Sequence, residues 1–479
     1  MVFNSAQFVI FFIVVYLLYL MLSHKWQNRM LLMASYVFYA SWDWRFLSLI
    51  LISTALDYFC GIKIDKAKDI RKKKRFLLLS IAGNLSILGF FKYFNFFSYN
   101  LQVMLNTMGL PVEPHLFRIL LPIGISFYTF KTLSYTIEIY WGQMKPARNF
   151  LDYALFLAFF PALLSGPIDR AKSLLPQVLS KRNLTLDKFY EGIYLIFWGL
   201  FLKVFIADNL AKMIDPVFSS PPPYQGAAVL MTLYAYVFQL YCDFAGYTSI
   251  ALGLGKIMGF DMMSNFNLPL FSTSIADFWR RWHISLSTWV RDYLFTPLFV
   301  FLRNIKVKGN LRLYLALFIT MVLLGIWHGA GWNYVVFGIF EGSLIVLYQM
   351  LQPKLQKHIR PRSRYGKNIW LIARIVFMFQ LTAIAFLIFR VQSLPQIFNM
   401  LKSVIVDFRT TDIAAGDMAR IVFLTGGMII LEIIQYRKKD LMAAFKWNPL
   451  VRAAVYFICF YLLMIYGVEG GKEFIYAQF

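Results

Sequence analysis

The sequence predicts an all-α polytopic membrane protein with about eleven or twelve transmembrane helices and two re-entrant segments. Three observations carry that prediction. Of 479 residues 59% are hydrophobic and the mean hydropathy is +0.59, outside the range of soluble domains. Apolar stretches recur along the whole chain, most of them long enough to cross a hydrocarbon core of about 30 Å. The basic residues, source of the net charge of +24, are concentrated in alternate connections.

Taken in order, the apolar segments lie at 6–22, 30–42, 46–62, 76–97, 118–140, 190–206, 226–254, 312–330, 333–351, 369–391, 418–435 and 450–467. Segment 30–42 is short, which leaves one span open. The first run, Gln7–Leu22, lacks a basic leader and a small-residue cleavage site, so it reads as a retained span. Two more apolar stretches, 150–166 and 278–302, have basic loops on both sides. They read as re-entrant or interfacial, an arrangement allowed only where protein or a water cavity covers the backbone. Residues 1–467 form one membrane domain, and 468–479 form a tail.

Seven connections (23–29, 63–75, 141–149, 166–189, 303–312, 352–368 and 436–449) hold 31 Lys and Arg, whereas the opposing segments hold five. The positive-inside rule puts the first set in the cytoplasm and both termini outside. The densest runs, 63–75 and 354–367, read as anchors against anionic lipid rather than nucleic-acid sites. The three cysteines, Cys60, Cys242 and Cys459, all fall inside apolar segments and show neither disulfide nor metal spacing.

The stretch Leu311–Trp332, LRLYLALFITMVLLGIWHGAGW, organises the rest. From Arg312 to His328 it carries no charge and climbs roughly 24 Å as a helix. An ionisable ring therefore sits deep in the membrane, where it needs a partner or a task. Gly329 and Gly331 thin the wall beside it. A second histidine, His283, lies in FWRRWHISLSTWVRDYLF, and the chain has only five. A lone membrane histidine is as readily a packing residue as a catalyst; two in such contexts point to a site. Asp243, within CDFAGYTS, is an intramembrane carboxylate that needs a partner, and Arg291 or a histidine is the expected one.

The motifs of the middle of the chain resemble the membrane-bound O-acyltransferase (MBOAT) family, in particular its bacterial alginate and peptidoglycan O-acetylation branch. The resemblance rests on LPIGISFYTFKTLSYTIEIYWG (121–142), FFPALLSGPIDRAKSLLPQ (159–177), YCDFAGYTSIALGLGKIMGF (241–260), FWRRWHISLSTWVRDYL (278–294) and GIWHGAGWNYVVFG (325–338). The N-terminal MVFNSAQF resembles the same branch, so the likeness covers essentially the whole chain. After RDYL the chain departs from the glycine-rich turn of many alginate-type members and reads FTPLFVFLRNIKVKGN. That part is more similar to the membrane protein of teichoic-acid D-alanylation.

The resemblance implies a funnel-shaped enzyme that moves an acyl group from a cytoplasmic thioester towards an outer acceptor. His328 then occupies the essential catalytic position and His283 lines the same path. Trp327 and Trp332 would keep water from the thioester. Arg280 and Arg281 would meet the phosphates of coenzyme A, or else snorkel to headgroups. Asp243 would fix the wall through a buried pair. No bound cofactor is expected, acetyl-CoA being the donor substrate. The expected partners are a secreted or periplasmic SGNH-type acetyltransferase or esterase, membrane lipid, and a polysaccharide acceptor reached indirectly. No metal is expected, because no third or fourth ligand accompanies the histidines at a recognisable spacing. The implied location is the bacterial cytoplasmic membrane. D-alanyl transfer from a carrier-protein thioester is the alternative, and a transporter or scaffold is the reading from another class, against which no inverted halves with paired broken helices are evident.

The tail, GVEGGKEFIYAQF, ends in a pattern that resembles the F-x-Y-x-x-F end of the small accessory peptide of teichoic-acid D-alanylation. Phe474, Tyr476 and Phe479 match it. The implied role is a relay in which Tyr476 takes the acyl group. Anchoring of three aromatic rings at the interface is the simpler alternative.

Overall fold

The computed structural model describes all residues except 114–116, 118, 359–360, 362, 392, 410–411, 469–473 and 475–479, with the side chains of 354–358, 412 and 413 also outside the described set. Every regular element among the described residues is helical. In chain order these are α1 (Ala6–Met21), α2 (His24–Asp43), α3 (Leu47–Lys66), α4 (Ile70–Thr107), α5 (Ile125–Tyr140), α6 (Phe150–Ala158), α7 (Phe160–Leu163), α8 (Ala171–Leu179), α9 (Leu186–Leu200) and α10 (Asp208–Ser219). There follow α11 (Gly226–Ile257), α12 (Ile275–Arg281), α13 (Ile284–Val290), α14 (Thr296–Asn304), α15 (Gly309–His328), α16 (Trp332–His358), α17 (Arg364–Arg390), α18 (Leu394–Val406), α19 (Asp412–Lys438) and α20 (Pro449–Tyr466).

The helices follow the apolar segments, and local chemistry sets their ends. Ser5, Asp69, Asn149, Ser274, Ser363, Ser393 and Asn448 each accept a backbone N–H at a helix start. Two offsets are large: α4 runs on to Thr107, well past 97, and in 118–140 α5 begins only at Ile125. Pro122 precedes it, and Gly124 takes φ +78°, a conformation a side chain would resist. A Cβ there would also lie 2.8 Å from the Leu163 carbonyl oxygen. Among the described residues eight helices are long and apolar enough to cross a membrane, α2 with α3 counted as one; α1 is apolar but shorter. Of the two stretches expected to be re-entrant, 150–166 is broken into α6 and α7, whereas 278–302 breaks only between α12 and α13, which continues through a π-helical turn, Arg291–Phe295, into α14. On α20 the apolar residues Phe457, Tyr461 and Met464 point outward, as lipid-facing residues do.

The residues group into two compact units. The first comprises Met1–Gly199, Tyr247–Met263 and, near the chain end, Phe474. Its buried polar contacts include Arg182, which donates to Tyr19 Oη (2.7 Å) and Asn28 Oδ1 (2.6 Å). Another is Asp57, whose carboxylate accepts from Ser80 Oγ (2.5 Å) and Asn84 Nδ2 (2.8 Å). The second unit, Leu200–Gly246 with Ser264–Lys472, contains both histidines of interest. A π-helical stretch, Phe201–Ala207, interrupts its first helix run.

Candidate active site

His328 is the last residue of α15, and its position follows from the hairpin that α15 makes with α16. At the crossing both helices carry glycine. A Cβ on Gly325 would fall 2.7 Å from Gly338 Cα, and one on Gly338 would fall 2.7 Å from the Met321 carbonyl oxygen. Such backbone contact is the close packing that small residues allow between membrane helices. Gly329 then leaves room for the ring of Tyr334. The space expected beside the histidine from Gly329 is thus filled by this chain's own aromatic residue.

The His328 ring is buried. It meets Trp327 (4.9 Å between centroids), Phe389 (5.2 Å, edge-on) and Phe337 (5.8 Å, edge-on). Asn333 Nδ2 donates to the Phe389 carbonyl oxygen at 3.2 Å and so ties α17 to the hairpin. Trp332 is 56% exposed. Trp327, one of the two tryptophans expected from the sequence, thus walls the ring together with Phe337 and Phe389.

His283 sits between α12 and α13. Its backbone is left-handed, φ +43°, an uncommon conformation for a residue with a side chain. Three contacts hold it there. Its Nδ1–H donates to Asn265 Oδ1 (3.3 Å), an oxygen that also accepts from Ser285 Oγ (2.5 Å), and Ile284 N–H donates to the Asn265 carbonyl oxygen (2.9 Å). The Nδ1 hydrogen bond makes Nε2 the basic nitrogen of the neutral ring. Phe244 stands edge-on to the ring at 4.7 Å. Burial lowers the pKa of His283 to about 3, so its ring is neutral, not a cation.

The segments of both histidines lean on α17. Trp282 packs on Phe386 at 5.1 Å and His328 on Phe389 at 5.2 Å, and these two phenylalanines are one turn apart on one face. A second tie runs from Trp279 Nε1, which donates to Glu341 Oε2 on α16 at 2.9 Å. The residue before His283 and His328 itself thus rest on one helix face, and His328 presents a buried imidazole in an aromatic box. That arrangement can remove a proton from a hydroxyl where water is scarce.

Asp243 is paired as expected, but with a different partner. Lys203 Nζ lies 2.6 Å from Asp243 Oδ1 and 2.9 Å from Asp208 Oδ1, and all three residues are buried. Arg291 instead pairs with its neighbour Asp292 and is largely exposed. Lys203 is on the π-helical stretch, a kind of irregularity frequent at functional sites. Asp243 immediately precedes Phe244, so the ion cluster anchors the wall against which His283 stands.

Arg280 and Arg281 share Asp277. Arg281 lies 3.0 Å from its carboxylate and also donates to the Asn267 carbonyl oxygen (3.1 Å); Arg280 is 3.5 Å away with its side chain 75% exposed. Of the pair, Arg280 is the one able to meet an incoming anion. Phe474 belongs to the first unit, buried edge-on against Tyr247 at 4.6 Å beside a cavity of about 60 Å³ that Phe3 and Tyr39 also line. Tyr476 and Phe479 lie outside the described residues.

Residues 146–391 match the model of the membrane-bound O-acyltransferase family. The chain is 42% identical over 398 residues to the probable alginate O-acetylase AlgI of Pseudomonas putida, covering 82% of this chain and 78% of that one. It is 31% identical to the peptidoglycan O-acetyltransferase of Helicobacter pylori, covering 85% and 80%. It is also 33% identical to the teichoic acid D-alanyltransferase of Bacillus subtilis, covering 56% and 68%.

Proposed function

The chain belongs to the membrane-bound O-acyltransferase family, and from that premise we propose that it passes an acetyl group from cytoplasmic acetyl-CoA to the outer face of the bacterial cytoplasmic membrane. There a secreted or periplasmic SGNH-type partner places it on an exported or cell-surface polysaccharide of the alginate or peptidoglycan type. The observation that carries the reading is the setting of His328: a buried imidazole at the end of a helix uncharged between Arg312 and His328, walled by Trp327, Phe337 and Phe389.

The acceptor hydroxyl gives its proton to the imidazole as its oxygen attacks the thioester carbonyl. The C–S bond breaks, and the departing thiolate takes the proton to become the free thiol of coenzyme A. A box of aromatic rings keeps out the water that would otherwise intercept the thioester. The direction of transfer rests on the basic loops: with 31 Lys and Arg in one set of connections, the donor side is cytoplasmic and both termini are outside. Single cysteines at 69 and 479, in a background without native cysteines, are expected to label from opposite sides of sealed cells. Labelling of both from outside overturns the orientation.

In this proposal Tyr476 is the first acceptor. Its phenol, with an ordinary pKa of about 10, makes a better leaving group than a sugar hydroxyl, so the phenyl ester stays activated for the partner. Tyr476→Phe keeps the ring and loses the nucleophile. With the partner present it is expected to end polymer acetylation, whereas wild-type acetylation by this variant reduces the tail to an anchor.

Similarity to a teichoic acid D-alanyltransferase favours a second reading, transfer of D-alanine from a carrier protein. Donor turnover decides. Acetyl-CoA hydrolysis or exchange by the purified protein supports acetyl transfer, and strict dependence on an aminoacyl carrier protein supports the other.

A further inference from the structure

Between α16 and α17 runs a groove of about 450 Å³, within the size range of sites for small ligands. Its body is apolar: Leu344, Leu347 and Leu351 from α16 face Phe377, Met378 and Leu381 from α17. Both helices are long and apolar enough to span the membrane, and Phe377 is 62% exposed, so the groove opens where hydrocarbon lies.

One end is polar and positive. Arg374, three residues before Phe377, donates through Nε to the Thr273 carbonyl oxygen (2.9 Å) and through Nη2 to Thr273 Oγ1 (3.0 Å). Among the described residues Nη1 has no protein partner and no carboxylate is within ion-pair distance of Arg374. Thr273 N–H in turn donates to Asp277 at 3.1 Å, the carboxylate that Arg280 and Arg281 already share. Arg374 thus lines this end of the groove with one guanidinium nitrogen, Nη1, left open.

A positive end joined to an apolar trough matches the shape of an anionic phospholipid. We propose that the groove holds one such lipid, its acyl chain along Leu344 to Leu351 and its phosphate at Arg374. Basic pockets between membrane helices hold anionic headgroups in this way. In the orientation proposed above, the site faces the cytoplasmic leaflet; the acyl chemistry plays no part in the argument.

The test uses the full chain, delipidated in detergent, and native mass spectrometry with dioleoyl phosphatidylglycerol or dioleoyl phosphatidylcholine at equal mole fraction. One phosphatidylglycerol is expected to stay bound, with a preference of about tenfold over phosphatidylcholine, as suits a charge-assisted contact. Arg374→Gln should bring the two lipids to near-equal retention. That change also cuts the tie to Thr273, so a second variant is needed. Leu347→Trp fills the trough, touches no hydrogen bond, and should lower occupancy by both lipids. Equal retention of the two lipids by the wild type overturns the proposal, as does unaltered retention by Leu347→Trp, which places the lipid elsewhere. Displacement of phosphatidylglycerol by acetyl-CoA overturns it too, by making the groove a donor site.

Discussion

The two histidines of the second unit are held by opposite means. His283 has a polar collar: a hydrogen bond from Nδ1 to Asn265, a serine on the same oxygen, and a left-handed backbone. His328 has an aromatic box at the end of a helix whose glycines let it lie against its neighbour. A collar settles which nitrogen carries the proton. A box settles how dry the ring is. The difference suggests a division of labour, with His328 the proton acceptor in a water-poor chamber and His283 a neutral group of fixed orientation on the approach.

The strongest way to break this comparison is to remove His328. We expect His328→Ala to cut acyl transfer by about a thousandfold, the middle of the range for general base catalysis, while detergent-solubilised protein melts close to the wild type. A mutant that melts far lower yet keeps its specific activity would show that the box is only packing.

The next effect falls on stability and on the side of His283. Lys203 lies between Asp243 and Asp208. Removing one member of a buried ion cluster leaves uncompensated charge, at a cost of about 3–5 kcal/mol. Lys203→Met is therefore expected to lower the melting temperature sharply, and the double change Lys203→Met with Asp243→Asn should recover part of the loss. If the single change leaves melting unaltered, the cluster does not anchor the wall behind His283.

A smaller effect separates the backbone of His283 from its ring. Glycine tolerates φ +43° without strain, so His283→Gly should leave stability near the wild type while transfer falls about tenfold. Because burial lowers the pKa of His283 to about 3, the ring does not titrate between about pH 5 and about pH 9. The pH dependence of kcat/KM should keep its shape in the variant and change only in height. Loss of a limb near neutrality would mean that His283 does carry the titrating proton.

Much of this was readable in the sequence, for physical reasons that also mark the limit. Apolar runs at 226–254, 312–330 and 333–351 fixed where α11, α15 and α16 lie, because a span must satisfy its backbone internally. The pairing of Asp243 was legible as a need but not as a partner. Lys203 hides inside the apolar segment 190–206, where one charge scarcely lowers the hydropathy. Phe386 and Phe389 share a helix face in QLTAIAFLIFR, yet only tertiary packing shows that this face meets both histidine segments. The left-handed backbone at His283 leaves no trace in the sequence, since nothing about a histidine announces positive φ. Gly325 and Gly338 were visible as small residues; that they oppose each other depended on the turn between them.

The smallest expected effect lies one turn from His283, on α12, and sharpens the contrast between its collar and its surroundings. Arg280 and Arg281 are neighbours in sequence, and on charge alone either would serve an incoming phosphate. Their settings differ. Arg281 is engaged with Asp277 at 3.0 Å and with the Asn267 carbonyl oxygen at 3.1 Å, two residues from the Asn265 that holds His283. Arg280 extends with 75% of its side chain exposed and only a 3.5 Å approach to Asp277. An exposed charge acts weakly and is screened by salt, with a Debye length near 10 Å at 0.1 M. Arg280→Ala should therefore raise the KM for the acyl donor about threefold at low ionic strength, leave kcat in place, and lose its effect at 0.5 M salt. Arg281→Ala should do the reverse, lowering kcat with little dependence on salt, because it loosens the loop that carries Asn265. A salt-sensitive KM defect in Arg281→Ala with none in Arg280→Ala would exchange the two roles and make the collar part of the donor site.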